Sequence, residues 1–357
     1  MGTIAERKLS NGRTAYKAQI ILKRKGEPTY RESRQFPRRA TANAWMQRRE
    51  KELRQPGALE KARAPRPTLS DAINRYIDDH KKSYGKSKAQ VLAKLAQTDL
   101  AQIACEEVTS QKIVDFAREF GHKRAASTVG NYLTHLSPVF KLARPAWNLD
   151  LDPAAMADAL VVCKQLGIIS KSNRRNRRPT LDELDKLLAH YEDSAIRGHM
   201  PMHKIIAFAI FSTRRQDEIV RIKWEDLEPE NNRVLVKDMK NPGEKIGNDV
   251  WCELTPEAMR IINSMPTGPA DASIFPYRAN NISASFIRTC ALLGIVDLRF
   301  HDLRHEGVTR LFEMGRTIPL AASVSGHRSW QSLQRYSHIK TPGDKYDGWP
   351  WLDRVCG

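Results

Sequence analysis

The chain has 357 residues, more than one hydrophobic core usually serves, so its length excludes a single small module and predicts two or three domains. Hydrophobic residues make up 41% and charged residues 28%, near ordinary globular usage, which excludes wholesale disorder. Charge is the unusual quantity: 59 Lys and Arg against 41 Asp and Glu give a formal +18, which points to a polyanion, nucleic acid before an anionic membrane. No apolar run approaches the roughly 20 residues of a membrane span, and the N-terminus lacks a signal-peptide core, so the expectation is a cytoplasmic protein with no membrane partner. Cys105, Cys163, Cys252, Cys290 and Cys356 are scattered without a C-x-x-C pair, which predicts neither a disulfide framework nor a structural zinc site.

Residues 1–66 hold eighteen Lys and Arg against six Glu, a net of +12, so the charge is concentrated at one end. Within this stretch Asn11-Gly12 is a hairpin turn signal, and Tyr16, Ala18, Ile20 and Leu22 alternate as in a half-buried strand. A third strand is expected from Thr29 to Phe36. Thr41 then reads as the cap of a helix reaching Leu53, with Ala44 and Trp45 on its apolar face. Residues 1–55 are therefore expected to form a small basic sheet with one helix, and the Pro-rich stretch 56–67 a linker.

From 68 to 165 the pattern is helical: Leu69, Ile73 and Ile77; Val91, Leu95 and Leu100; Ile113, Phe116 and Phe120; Val129, Leu133, Leu136 and Phe140. A basic linker, 166–178, includes KSNRRNRR from Lys171 to Arg178 and precedes a capping box, Thr180 with Glu183. In 179–340 helices mix with a β-hairpin region from Val234 to Leu254. A tail, 341–357, carries Tyr346, Trp349, Trp351 and Leu352, which either cap their own domain or dock on a neighbour.

Four segments carry the residues of chemical interest. Ser212-Thr213-Arg214-Arg215-Gln216-Asp217-Glu218 puts a guanidinium at a helix start with a carboxylate three residues on. Val236-Lys237-Asp238-Met239-Lys240 lies on the hairpin. His301-Asp302-Leu303-Arg304-His305 puts an imidazole and a guanidinium on one helical face, as suits an anionic centre. Ser325-Gly326-His327 is followed nine residues after His327 by Tyr336. Each signal is weak alone: a solvated helix face, a surface ion pair or a core-edge tyrosine explains each as well.

In this order and spacing, the segments resemble the tyrosine recombinase (phage integrase) family over residues 179–340. The resemblance implies a multidomain α+β chain. It would have a small N-terminal β-sheet plus helix, a helical core-binding domain at 68–165, and a mainly helical catalytic domain with a small antiparallel sheet. Carried over residue by residue, Arg215 and Arg304 would clamp a phosphate, His301 and His327 would be the family's histidines, and Tyr336 the nucleophile. Glu218 and Ile219 set the register that favours Arg215 over Arg214. Lys240 best matches the hairpin lysine, with Lys237 and Lys245 as rivals. Where the family has Thr-Gly-x before its first arginine this chain has Ser212-Thr213-Arg214, which leaves the local turn open.

The chemistry the resemblance implies is attack of the Tyr336 hydroxyl on a DNA phosphodiester, giving a 3′-phosphotyrosyl link and a free 5′-hydroxyl. His301 and the arginines would favour the phenolate, the guanidiniums with His327 would stabilise the phosphorane-like transition state, and Lys240 would protonate the leaving oxygen. No metal or cofactor is expected. Four strands must be cut with one Tyr per chain, so the implied assembly is a homotetramer on double-stranded DNA. The basic N-terminal module resembles an arm-type DNA-binding domain, which favours a phage or other mobile-element integrase with core and arm sites, with room for accessory DNA-bending or directionality proteins. The alternatives are a type IB topoisomerase-like enzyme, a site-specific invertase, or a DNA-binding regulator that has lost catalysis.

Overall fold

The computed structural model describes residues 2–8, 14–23, 29–63, 66–80, 85–173, 175–196, 199–239, 247–336, 338–339 and 343–357. Contacts divide the chain into two compact units, Met1–Asn173 and Arg174–Gly357.

The first unit begins with an antiparallel sheet in the order β1 (Gly2–Lys8), β2 (Thr14–Leu22) and β3 (Tyr30–Phe36). Lys8 pairs with Thr14 across the expected hairpin, whose Asn11-Gly12 turn lies outside the described residues. Ala18 and Ile20 are fully buried against helix α1 (Arg39–Leu53), with Tyr16 and Leu22 beside them, so the alternation read in β2 selects the covered face. Two expectations change. Thr41 is not the cap: α1 starts at Arg39, and Thr41 Oγ1 donates to the Arg38 carbonyl at 2.7 Å. The apolar face is Ala42 and Trp45, while Ala44 is exposed. The stretch 56–67 is also more than a linker, because it contains helix α2 (Ala58–Arg63), whose Leu59 is buried in the core under the sheet.

Five helices follow: α3 (Leu69–Asp79), α4 (Lys86–Ala96), α5 (Ser110–Gly121), α6 (Ala126–Trp147) and α7 (Pro153–Gln165). Thr68 caps α3 reciprocally with Asp71, each side chain accepting from the other's backbone N–H. Their shared core holds Leu69, Ile73, Leu95, Ile113, Val129, Leu133, Leu136 and Phe140, with Ile77, Val91, Phe116 and Phe120 at its margin.

The second unit runs α8 (Leu181–Ile196), α9 (Met202–Ser212), α10 (Gln216–Ile219), then the sheet β4 (Leu227–Glu228), β5 (Arg233–Val236) and β6 (Val250–Glu253). It continues through α11 (Pro256–Asn263), α12 (Ala279–Leu292), α13 (Phe300–Glu313), α14 (Ile318–Ser325) and α15 (Trp351–Cys356). The expected capping box at α8 is present: Thr180 N–H donates to Glu183 at 2.9 Å and Glu183 N–H to Thr180 Oγ1 at 3.1 Å. The expected hairpin pairs Val236 with Val250, and β4 adds a third strand.

Ten of the eleven residues of α9 are buried, all but Lys204, as its apolar run 205–211 requires, and α13 packs across it. The crossing is close at Gly307, where a Cβ would collide with the Ile210 carbonyl oxygen and stand 3.0 Å from Thr213 Cγ2. The tail is intramolecular: Tyr346, Trp349, Trp351 and Val355 belong to the core of this unit, and Trp349 Nε1 donates to Asp185 at 2.8 Å.

The connector is also a correction. Its described arginines are turned inward: Arg175 pairs with Asp302 at 2.8 Å and Asp297 at 2.9 Å, Arg177 pairs with Glu183, and Arg178 pairs with Glu306 at 2.7 Å and Glu313 at 2.6 Å. Residues 175–178 thus belong to the second unit instead of forming a free basic arm.

Because the Ile210 carbonyl is backbone and cannot rotate aside, Gly307→Ala should destabilise the second unit by about 3 kcal/mol, read as a lowered urea midpoint. An unchanged midpoint would contradict the close crossing.

Candidate active site

The end of α9 sets the first part of the site. The helix stops at Thr213, which adopts φ 57° and ψ 21°, the left-handed conformation that glycine takes without strain and a β-branched residue does not. The turn is therefore kept without the glycine. Its carbonyl faces α13, and the chain then extends through Arg214 and Arg215 into α10. Glu218, three residues on, accepts from the Arg215 backbone N–H at 3.1 Å and from its guanidinium at 2.5 Å.

Glu218 is 2% exposed and has three arginines about it: Arg215 in contact, Arg304 at 3.8 Å and Arg214 at 3.9 Å. The three guanidiniums hold its pKa below the usual carboxylate value despite burial, so it is ionised. Arg214 is fully buried and donates to the carbonyls of Ser212 and Val324 and to Cys252 Sγ.

Helix α13 contains two buried arginines with opposite surroundings. Arg310 lies between Glu257 and Asp344 and its pKa is raised. Arg304, 4% exposed, is held by carbonyls, donating to Thr213 O and, at 3.0 Å, to Ser325 O. Burial, then the like charges of Arg215 and Arg214, lower its pKa to about 9, still protonated at neutral pH. Three cations and one carboxylate leave this cluster short of negative charge.

His327 follows the C-cap of α14, Gly326, at φ 67°. Its Nδ1 is 2.7 Å from Ser325 Oγ and its Nε2 is 3.3 Å from Arg304 Nη2. Ser325 already spends its single proton on the Ala321 carbonyl, so this geometry assigns the His327 proton to Nδ1 and leaves Nε2 accepting from Arg304. Burial and the neighbouring arginines lower the His327 pKa to about 3, so the ring is neutral.

Tyr336 is 7% exposed, its ring stacked on Phe312 at 5.8 Å and its hydroxyl 2.7 Å from His305 Nδ1. Burial raises the phenol's pKa, against the pull of Arg335 and Arg304. A cleft of about 860 Å³ is lined by Arg215, His301, Arg304, His305, His327 and Tyr336, together with Arg175, Arg177, Arg178 and Arg335, and among the described residues no carboxylate lines it. Such a cleft suits an anion that accepts several hydrogen bonds.

Five of the six residues singled out from the sequence thus share one cleft: Arg215, His301, Arg304, His327 and Tyr336. Lys240 lies outside the described residues, as does Lys245. Lys237 is described, with its ammonium 2.7 Å from Asp226 and 3.3 Å from Glu225. Sequence reasoning missed His305 and Arg335, and set Arg214 aside in favour of Arg215. The signal for His305 was its place four residues after His301, on the same face of α13.

Residues 177–342 match the phage integrase family. The chain is 25% identical over 284 residues to the shufflon-specific DNA recombinase of Escherichia coli, covering 76% of this chain and 69% of that protein. It is 23% identical over 315 residues to the integrase of Salmonella phage P22, covering 77% of each. Among solved structures, it shares the fold of a lambda integrase dimer bound to a COC′ core site, with a TM-score of 0.62 and 17% identity over 96% of both chains. It also shares the fold of the Tn1549 transposon integrase in complex with a circular intermediate DNA, with a TM-score of 0.58 and 15% identity over 76% of this chain and 95% of that one.

Two outcomes follow from the geometry. Thr213→Gly should stabilise the second unit by about 1 kcal/mol in urea unfolding, since glycine relieves the left-handed strain; a loss of stability would contradict it. Sulfate should raise the melting temperature of the wild type more than that of Arg304→Gln, because an ion at the cation cluster adds ligand-linked stability to general salt exclusion. Equal responses would refute an anion site at Arg304.

Proposed function

Because the chain belongs to the tyrosine recombinase (phage integrase) family, whose members cleave and rejoin DNA strands, we propose that it is a site-specific DNA recombinase working through a 3′-phosphotyrosyl intermediate. The observation that carries this reading is one cleft, without lining carboxylates among the described residues, shared by Arg215, Arg304, His327 and Tyr336. The scissile phosphate sits against Arg215 and Arg304, and its charge offsets the cation surplus around Glu218. Transition-state charge on the non-bridging oxygens strengthens those contacts further.

Tyr336 Oη attacks phosphorus and the 5′-oxygen leaves with a proton from Lys240. Among the rival lysines, Lys237 is engaged by Asp226 and Glu225, which argues against a role at the phosphate. His327 enters with Nε2 unprotonated, so it donates to a phosphoryl oxygen only after taking up a proton or exchanging tautomers; a bound phosphate favours both. The phosphotyrosine conserves the bond energy, so a 5′-hydroxyl from a second duplex reverses the step without ATP or metal.

Double-stranded DNA is the partner, with four protomers needed for four cuts. The helical region 68–165 grips the core site, and the basic sheet with α1 and α2 binds a second, arm-type site, consistent with a phage or other mobile element. Similarity to the phage P22 integrase supports that origin.

The test uses nicked duplexes with a randomised core, from which SDS-stable adducts are recovered and sequenced to define the substrate. Wild type should form adducts, and Tyr336→Phe should form none while binding the recovered duplex unchanged; adducts in Tyr336→Phe would disprove the nucleophile. Lys240→Ala should cleave about 100-fold more slowly and regain most of that rate on a duplex with sulfur at the 5′-bridging position, whose thiolate leaves without a proton. Lys237→Ala should match wild type on both duplexes. Rescue confined to Lys237→Ala would transfer the general-acid role.

A further inference from the structure

The Tyr336 hydroxyl must lose its proton to attack, and the group that meets it is neither His301 nor a guanidinium but His305, whose Nδ1 lies 2.7 Å away. We propose that His305 is the proton acceptor for the Tyr336 nucleophile. The inference deepens the recombinase reading and rests on it.

The geometry is fixed from both sides. His305 sits in mid-helix on α13, and the Tyr336 ring is pinned by the Phe312 stack and by Leu333 in the same small core. The Arg335 guanidinium lies 5.2 Å from the Tyr336 ring centre and donates to Arg175 O and Asn176 Oδ1, both at 2.7 Å. Among the described residues, the hydrogen bond that this hydroxyl makes is the one to His305, the residue after Arg304 on α13. His301 is exposed and meets the His305 ring edge-on at 4.9 Å, which makes it a neighbour of the acceptor.

The charges around His305 favour an open lone pair. Burial first, then His301, Arg335 and Arg304, hold its pKa down to about 4, with Asp302 opposing. The ring is therefore neutral at physiological pH, and with its proton on Nε2 it accepts from the phenol. In the empty site the proton stays on Tyr336, because the buried phenol is a weaker acid and the imidazole a weaker base than either is in water. A phosphate in the cleft offsets Arg304 and Arg335 and raises the basicity of His305. Proton transfer is thereby tied to the presence of substrate.

The step balances. The Tyr336 O–H bond breaks and its proton forms an N–H bond at His305 Nδ1. The electron pair on Oη forms the bond to phosphorus while the P–O5′ bond breaks, and the 5′-oxygen takes its proton from the general acid. On rejoining, His305 returns the proton to Tyr336.

The experiment measures single-turnover adduct formation on the recovered suicide duplex, at saturating protein, for wild type, His305→Asn and His305→Gln across a pH series. Wild type should be nearly flat from about pH 6 to 8, where His305 is neutral and Arg304 still protonated. The variants should bind the duplex as wild type does, cleave about 100-fold more slowly at neutral pH, and accelerate about tenfold per pH unit as solvent supplies the phenolate. A uniform loss with a flat profile would make His305 merely structural, and equal or faster cleavage would make its contact with Tyr336 a restraint; either overturns the proposal. If the wild type itself forms no adduct that Tyr336→Phe abolishes, it is the recombinase reading that fails.

Discussion

The arrangement of the second unit depends on a buried excess of positive charge. Arg214, Arg215 and Arg304 converge on Glu218, and no second carboxylate joins them in ion pairing among the described residues. Burying cations without counter-charge is costly, and the cost is visible in the lowered pKa of Arg304 and His327. Arg310 shows that the fold can do otherwise: six residues further along the same helix it supplies two carboxylates to one guanidinium. The deficit at Arg304 is thus local, and it is the property an anionic ligand would exploit under the proposed function.

Holding that deficit together requires a framework that cannot relax. Carbonyl oxygens take the place of carboxylates around Arg304, and they come from the Thr213 turn and the end of α14. The Thr213 carbonyl reaches Arg304 because α13 crosses α9 at Gly307, with no side chain between them. The strained left-handed Thr213 is consistent with this, since relaxing the turn would leave a buried guanidinium without an acceptor. Strain at one residue and the absence of a side chain at another serve the same contact.

Much of this site was legible in the sequence because its chemistry is local. Arg215 with Glu218, His301 with Arg304, and the nine-residue step from His327 to Tyr336 are short-range patterns, and helical periodicity found part of the α3–α6 core but none of the α7 residues Met156, Ala159 and Cys163. Contacts made across the fold were not legible. His305 reaches Tyr336 over 31 residues, and the connector arginines find Asp297, Glu306 and Glu313 more than 100 residues away, so a run of basic residues read as an open basic segment. The Ala42-for-Ala44 difference in α1 has another origin: with mostly polar residues around Trp45, the sequence scarcely determines which side of it faces the sheet.

The inward turn of Arg175 and Arg178 changes how the net charge of +18 is apportioned. These cations still line the cleft, yet their ion pairs with Asp302, Glu306 and Glu313 along α13 spend much of their field inside the protein. A charge saturated by carboxylates contributes structure, because an incoming anion must compete with partners already in place. Arg215 and Arg304 share a single carboxylate with Arg214, so they retain the larger unmet demand. Lining the cleft is therefore not enough to mark Arg175 or Arg178 as an anion ligand, because each already holds two carboxylates. Arg175 and Arg178 thus brace α13, and Arg175 also accepts from Arg335 beside Tyr336, while under the proposed function a phosphate would meet the less saturated pair gathered at Glu218.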